Sequence, residues 1–311
     1  MKKIAFVFPG QGSQSVGMLD ALTEFPEVTT AMETANQVLN IDLLDMVNQG
    51  PAESLNQTQW TQPALLAASV GIFNAVNARS DLDIACMAGH SLGEYSAMVC
   101  AGVLSLETAT ELVYKRGLYM QQAVPEGTGS MAAILGLEPN VVEQACQQAQ
   151  QQSSGTVSAA NYNSPGQIVI AGETKAVALA SQLCLDAGAK KIMPLAVSVP
   201  SHCELMKPAA EELAEALADI ELKPPKVPVL HNVDVKSHND QATMQAVLKQ
   251  QLYSPVRWTQ TMEELQALGV ETVAECGPGK VLSGLFKRFD RSLTVIPLMN
   301  AKGINTLTGE S

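Results

Sequence analysis

Positive charge is in short supply in this chain: 19 Lys and Arg stand against 31 Asp and Glu over 311 residues, a formal net charge of −12. That balance repels a polyphosphate backbone, so nucleic acid is not an expected partner. Histidine is scarce as well. The four present form no spaced ligand pattern such as His-Glu-x-x-His, and no metal site is expected. The six cysteines (Cys86, Cys100, Cys146, Cys184, Cys203 and Cys276) include no Cys-x-x-Cys pair and read as small core residues kept reduced. No apolar run approaches the roughly 20 residues of a membrane span. The run Ile4–Phe8 stops at Pro9-Gly10, short of the about 7–15 apolar residues of a signal peptide, so a cytoplasmic protein off the membrane is expected. The loop Pro9-Gly10-Gln11-Gly12-Ser13-Gln14 lacks the third glycine of a dinucleotide fingerprint and the Gly-Lys-Ser/Thr ending of a P-loop. Nothing repeats, and no low-complexity stretch interrupts the chain.

What is present is apolar: 46% of the residues are hydrophobic and only 16% are charged, the composition of a compact α/β enzyme rather than a disordered chain. The organising stretch is Ala88-Gly89-His90-Ser91-Leu92-Gly93-Glu94-Tyr95, a Gly-x-Ser-x-Gly core. A short apolar strand, 83–87, precedes it, and an apolar helix from Leu92 to Ala101 follows. Strand, sharp turn and helix form the setting in which a serine hydroxyl is pushed outward as a nucleophile. The helix start offers free N–H groups to a developing oxyanion.

Along the chain, strand Ile4–Phe8 leads into the Gly-rich loop, which could bring a backbone N–H beside a nucleophile. Helical patterns cover most of 15–48 and then 62–78, and a helix is expected over Leu106–Ala123. That last helix carries Arg116, either a surface residue or a pocket residue whose planar fork suits a carboxylate. After Gly127 the pattern becomes strand 131–137, helix 140–151, strand 156–162, turn 163–166, strand 167–171, helix 174–187 and strand 190–195. This β-α-β-β-α-β order is ferredoxin-like. We therefore expect a large α/β-hydrolase-like parallel-sheet domain (1–126 and 198–311) interrupted by a ferredoxin-like small domain (127–197).

The chain returns through Val199-Pro200-Ser201-His202-Cys203, where His202 is the best-placed base for Ser91. His90 is adjacent to the serine and should point elsewhere, while His231 and His238 are weaker candidates. Cys203 lacks an elbow of its own. Beyond a linker-like stretch, 221–226, come strand 227–231, helices 241–252 and 258–267, strand 271–275, helix 280–289 and strand 293–297.

Taken together, the motifs resemble the malonyl-CoA:acyl carrier protein transacylases of type II fatty acid synthesis over the whole length. The residues concerned are Phe8-Pro9-Gly10-Gln11-Gly12-Ser13-Gln14, the elbow, Arg116, Asn163-Ser164-Pro165-Gly166-Gln167, Pro200-Ser201-His202, the run from Gln251 to Trp258, and Glu275-Cys276-Gly277-Pro278-Gly279. The resemblance implies Ser91 as nucleophile and His202 as base. It also implies an oxyanion hole from the N–H groups of Gln11 and Leu92, Arg116 as clamp for the malonyl carboxylate, and the Gln251 carbonyl as the group orienting His202. Malonyl-CoA and an acyl carrier protein would be the partners. No bound cofactor is implied, because phosphopantetheine travels on the carrier, and a monomer is expected. Carrier proteins of this kind are acidic, so docking on an acidic chain calls for a local basic patch, with Lys280, Lys287, Arg288 and Arg291 as candidates.

Two other readings share the elbow. A serine hydrolase would bring an acidic third residue, yet no carboxylate stands out between Ser91 and His202: Glu173 and Asp186 sit on a turn and a helix of the small domain. A non-catalytic subunit with a vestigial elbow would form no acyl adduct.

Overall fold

A computed structural model describes residues 3–125, 127–196 and 199–310. The chain opens with β1 (Ile4–Phe8), α1 (Pro26–Leu39), α2 (Leu43–Gln49), α3 (Ala52–Leu55) and α4 (Thr58–Asn77). Next come β2 (Ile84–Gly89), α5 (Gly93–Cys100) and α6 (Leu106–Ala123). The middle third holds β3 (Gly129–Leu135), α7 (Pro139–Ser153), β4 (Val157–Ser164), β5 (Gln167–Glu173), α8 (Thr174–Asp186) and β6 (Lys191–Pro194). The rest is α9 (Lys207–Ala218), β7 (Val229–Leu230), α10 (Gln241–Gln251), α11 (Trp258–Ala267), β8 (Thr272–Glu275), α12 (Val281–Phe289), β9 (Thr294–Pro297) and α13 (Ala301–Thr308).

Two sheets result. One is five-stranded and parallel in the order β7-β2-β1-β8-β9; the other is four-stranded and antiparallel in the order β4-β5-β3-β6. The second order is that of a ferredoxin-like unit, so the expected fold class holds. Of the expected junction residues, Glu126, Val197 and Ser198 lie outside the described residues.

β1 shows why the first sheet is central. All five of its residues are buried, and alternation sends Ile4, Phe6 and Phe8 to one apolar cluster and Ala5 and Val7 to the other. On the first face Phe6 meets Phe73 of α4 edge to face at 5.2 Å. The second face packs on Trp258, Met262 and Phe286. The small domain is tied to the large one through its backbone: Tyr162 N–H donates to the Val256 carbonyl and Val256 N–H to the Ala160 carbonyl, both at 2.9 Å. The pairing of β4 with β5 shifts register at this point, which frees those groups for Val256.

Several expectations need correcting. Within 15–48, helix begins only at Pro26 apart from a 3-10 turn at Asp20–Leu22, because Gly12 and Gly17 take positive φ and Gly17 N–H is bound to the Val47 carbonyl. Asn163 and Ser164 belong to β4, leaving Pro165 and Gly166 as the hairpin tip. The strand expected over 227–231 shrinks to Val229–Leu230, since the His231 backbone turns to bond Lys236 and its ring engages Glu94. The stretch 221–226 is no free linker, because Lys223 and Lys226 donate N–H to the carbonyls of Val103 and Ala101. α13 had no counterpart in the sequence reading.

The elbow depends on contact too close for any side chain. A Cβ at Gly89 would lie 1.8 Å from the Gly93 carbonyl carbon, and one at Gly93 would lie 2.0 Å from the Phe8 oxygen. The two glycines let β2, α5 and the end of β1 touch backbone to backbone. Gly93→Ala should therefore cost about 3 kcal/mol, the upper range of overpacking, read as a lowered urea midpoint or as loss of soluble protein.

Candidate active site

Ser91 sits between β2 and α5 with φ 53°, a left-handed conformation uncommon for serine. The strain is held in place by Asn232, whose Oδ1 accepts the Ser91 N–H at 2.7 Å while its Nδ2 donates to the Gly89 carbonyl at 2.6 Å. The turn aims the hydroxyl at His202, also at positive φ (63°), with Oγ and Nε2 2.8 Å apart. The other ring nitrogen, Nδ1, donates to the Gln251 carbonyl at 2.7 Å. A carbonyl can only accept, so neutral His202 carries its proton on Nδ1 and Nε2 is free to receive the serine proton. Burial, followed by the nearby Arg116 charge, pushes the His202 pKa down to about 3.

Arg116 is a pocket residue, not a surface one: α6 presents it at 1% exposure. Its guanidinium donates to Gln62 Oε1 (2.7 Å), Ser91 Oγ (3.2 Å) and Gln251 Oε1 (3.0 Å), and stands 5.4 Å from the Tyr95 ring centre. Its Nε has no partner among the described residues. Burial lowers its pKa from the usual arginine value, yet a guanidinium stays protonated in proteins. A cavity joins Gln11, Ser91, Leu92, Arg116 and His202, with Met131, Asn161 and Leu195 of the small domain closing it. The Gln11 and Leu92 N–H groups make no hydrogen bond among the described residues.

The structure thus brings together every expected site residue: Ser91, His202, Gln11, Leu92, Arg116 and Gln251. The remaining candidates bond elsewhere, although His90 also lines the cavity. The His90 ring bonds Asn163 Oδ1 at 2.8 Å and packs on Trp258. His238 pairs with Asp234. Cys203 gives its thiol to the Pro200 carbonyl, and burial lifts its pKa to about 11, so it is no thiolate. Glu173 bonds the Thr156 N–H and Asp186 the Gln182 amide, so neither serves as the acid of a triad. No cluster of three or more His, Cys, Asp or Glu side chains among the described residues could hold a metal ion, and no described helix is long and apolar enough to cross a membrane.

Sequence reading missed a layer beneath these residues. Glu94, Asn232, His231, Gln62 and the side chain of Gln251 are all buried. The Gln251 amide donates to the Ser91 carbonyl at 3.1 Å and to Glu94 Oε2 at 2.9 Å. Glu94 also accepts from Asn232 N–H and His231 Nδ1, each at 2.8 Å. The local signal was a glutamate within the otherwise mostly apolar run that forms α5.

Comparison with known proteins decides the family. A family model, the acyl transferase domain, matches residues 5–304. The chain belongs to the acyl transferase family. Its relatives there include the malonyl CoA-acyl carrier protein transacylases of Haemophilus influenzae, 54% identical over 99% of this chain and 98% of that protein, and of Escherichia coli K12, 52% identical over 96% of each. Within the family the chain thus falls among the malonyl CoA-acyl carrier protein transacylases, as the sequence motifs implied. Solved acyl transferases agree. The Coxiella burnetii transacylase superposes with TM-score 0.97 at 46% identity over 99% of this chain and 98% of its own. A malonyl-transacylase bound to a type II polyketide acyl-carrier protein gives 0.97 at 49% identity, covering 99% of this chain and 100% of that one.

The buried histidine yields a stability test. The unfolded chain binds a proton at His202 near pH 6.5, whereas the folded site resists it down to about 3. Stability at this residue is therefore lost as pH falls below 6.5, by about 2 kcal/mol at pH 5. Burial lowers the His90 pKa too, with the same sign. His202→Gln should show a smaller drop in urea midpoint between pH 7 and pH 5 than the parent protein.

Proposed function

We propose that this chain carries the malonyl group from malonyl-CoA to the phosphopantetheine thiol of an acyl carrier protein through an ester on Ser91. The reading is carried by one observation: a buried guanidinium, Arg116, bonded to the same hydroxyl that faces a neutral histidine. Malonyl-CoA enters with its carboxylate on the Arg116 fork, where the unpartnered Nε and the Nη atoms can meet it. Ser91 Oγ attacks the thioester carbon and its proton passes to His202 Nε2. The oxyanion is taken up by the free N–H groups of Gln11 and Leu92. The carbon–sulfur bond breaks, and the coenzyme A thiolate leaves with the proton from His202. In the second half the carrier thiol gives its proton to His202 and attacks the ester. Ser91 then leaves and recovers the proton.

The Gln251 carbonyl fills the place that a carboxylate holds in a triad. It stabilises an imidazolium less, and a thioester, already activated, demands less. Arg116 lowers the pKa of His202, so a malonyl carboxylate that neutralises Arg116 makes the base stronger. An acetyl group offers no such help, which favours malonyl transfer on two counts. No observation favours the hydrolase reading, since His202 Nδ1 faces a carbonyl and no carboxylate.

The same reading takes residues 127–197 as a small domain inserted between 1–126 and 198–311, and the protein as a cytoplasmic monomer. For the carrier it favours the surface around α12. Lys280, Lys287, Arg288 and Arg291 are all exposed, and Arg288 bonds Gln167 of the small domain. Gln167, the partner of Arg288, and Val281, next to Lys280, line a second cavity with Gly10, Leu282 and Leu285, and it shares Gln11, His90, Asn161 and Leu195 with the cavity at Ser91. A thiol on a long arm could reach the serine by that route.

Brief mixing with malonyl-CoA followed by intact mass should find one malonyl group on the protein and none on Ser91→Ala. The adduct should persist in buffer and leave on addition of carrier protein. An adduct lost in buffer alone would indicate a hydrolase. Separately, Lys287→Glu with Arg288→Glu should raise KM for the carrier about tenfold and leave KM for malonyl-CoA unchanged.

A further inference from the structure

Behind the reacting residues lies a buried carboxylate that the reaction itself does not use. Glu94, the last polar residue of the elbow motif, is 0% exposed. Its Oε1 accepts from His231 Nδ1, and its Oε2 accepts from Asn232 N–H and Gln251 Nε2. Each of these three partners comes from the segment beyond residue 230, while Glu94 rides on α5, the helix that begins just after Ser91. Two of them also lead back to the nucleophile: Asn232 holds the Ser91 N–H, and Gln251 Nε2 holds the Ser91 carbonyl.

The chemistry of the two ends fixes the amide between them. A carboxylate only accepts hydrogen bonds and a guanidinium only donates. Gln251 lies between Glu94 and Arg116, so its NH2 must face Glu94 and its oxygen must face Arg116. Reversing the amide would set donors against donors at Arg116 and oxygen against oxygen at Glu94. The same residue's backbone carbonyl receives His202 Nδ1. One side chain thus stands at the crossing of clamp, nucleophile and base, and its orientation is set by Glu94 on one side and Arg116 on the other.

We propose that Glu94 is a positioning residue for the malonyl carboxylate: by orienting the Gln251 amide it holds Arg116 where the substrate's carboxylate must bind. The inference rests on the malonyl-transfer reading of Arg116. Glu94 touches no reacting atom and acts through Gln251. With glutamine at position 94, an NH2 can confront the Gln251 amide, the amide is held less firmly in its direction, and the Arg116 fork loses one of its two amide-oxygen acceptors, keeping Gln62.

The test is a comparison of acyl-enzyme formation from malonyl-CoA and from acetyl-CoA, for the parent protein, Glu94→Gln, Arg116→Ala and the double variant. Glu94→Gln should lower kcat/KM for malonyl-CoA by about 10- to 100-fold, the range for losing a hydrogen bond to a charged group, mostly through KM. For acetyl-CoA, which has no carboxylate to place, the fall should be at least about tenfold smaller. Added to Arg116→Ala, Glu94→Gln should cost little more, because both changes remove one interaction. Equal losses for both substrates, or additive losses in the double variant, would overturn the inference and leave Glu94 as a fold residue only. If Glu94→Gln does not fold, Glu94→Asp serves the same comparison, since it keeps the charge but draws it back from Gln251. A parent protein that forms no malonyl adduct would instead defeat the underlying reading of Ser91, so the two failures are told apart by the parent's own mass.

Discussion

The active site depends on backbone contact between the end of β1, the end of β2 and the start of α5. Gly93 rests against the Phe8 carbonyl and Gly89 against Gly93. Only at that spacing does the chain turn sharply enough to place Ser91 in its left-handed conformation. Such strain persists only where the surroundings over-determine it. Here Asn232 does so, taking the Ser91 N–H and giving to the Gly89 carbonyl, one bond on each side of the bend. Gly10 completes the arrangement, because a Cβ there would lie 2.4 Å from the His90 oxygen. The Gly-rich loop can therefore lie flat against the elbow and bring Gln11 to the cavity wall.

Electrostatics follow from burial of this site. Arg116 and Glu94 are both out of water, and the amide of Gln251 joins them without direct contact. Two buried charges so connected are less costly than either alone. Burial, and after it the same guanidinium, works against a charged His202, so the resting base stays neutral. A substrate bearing its own negative charge changes that balance, and one lacking it does not. On the proposed malonyl-transfer reading, selectivity and base strength draw on one group.

Much of this was legible in the chain. The elbow, the β-α-β-β-α-β run and the return at His202 are local patterns whose glycines, prolines and apolar periods carry their own physical reason. The helices at Leu106–Ala123 and Trp258–Ala267 match the structure at both ends. The misreadings share a cause. The residues ahead of Pro26 carry a helical period but are held in turns by Gly12 and Gly17 and by a distant carbonyl of Val47. The strand around Val229 is cut short by a side-chain bond to a residue on another element.

Sequence by itself pointed to the elbow serine, to His202 as the best-placed base and to a parallel-sheet domain with a ferredoxin-like insertion, because each rests on a local pattern of glycines, prolines and apolar periods. Only the tertiary structure decided that Arg116 faces the pocket and that Glu94, His231, Asn232 and the Gln251 side chain form one network. Glu94 meets its partners across 137, 138 and 157 residues of chain. No local period encodes such pairs. They exist because the parallel sheet sets β2 beside both β1 and β7, so that the ends of these strands converge on one buried point.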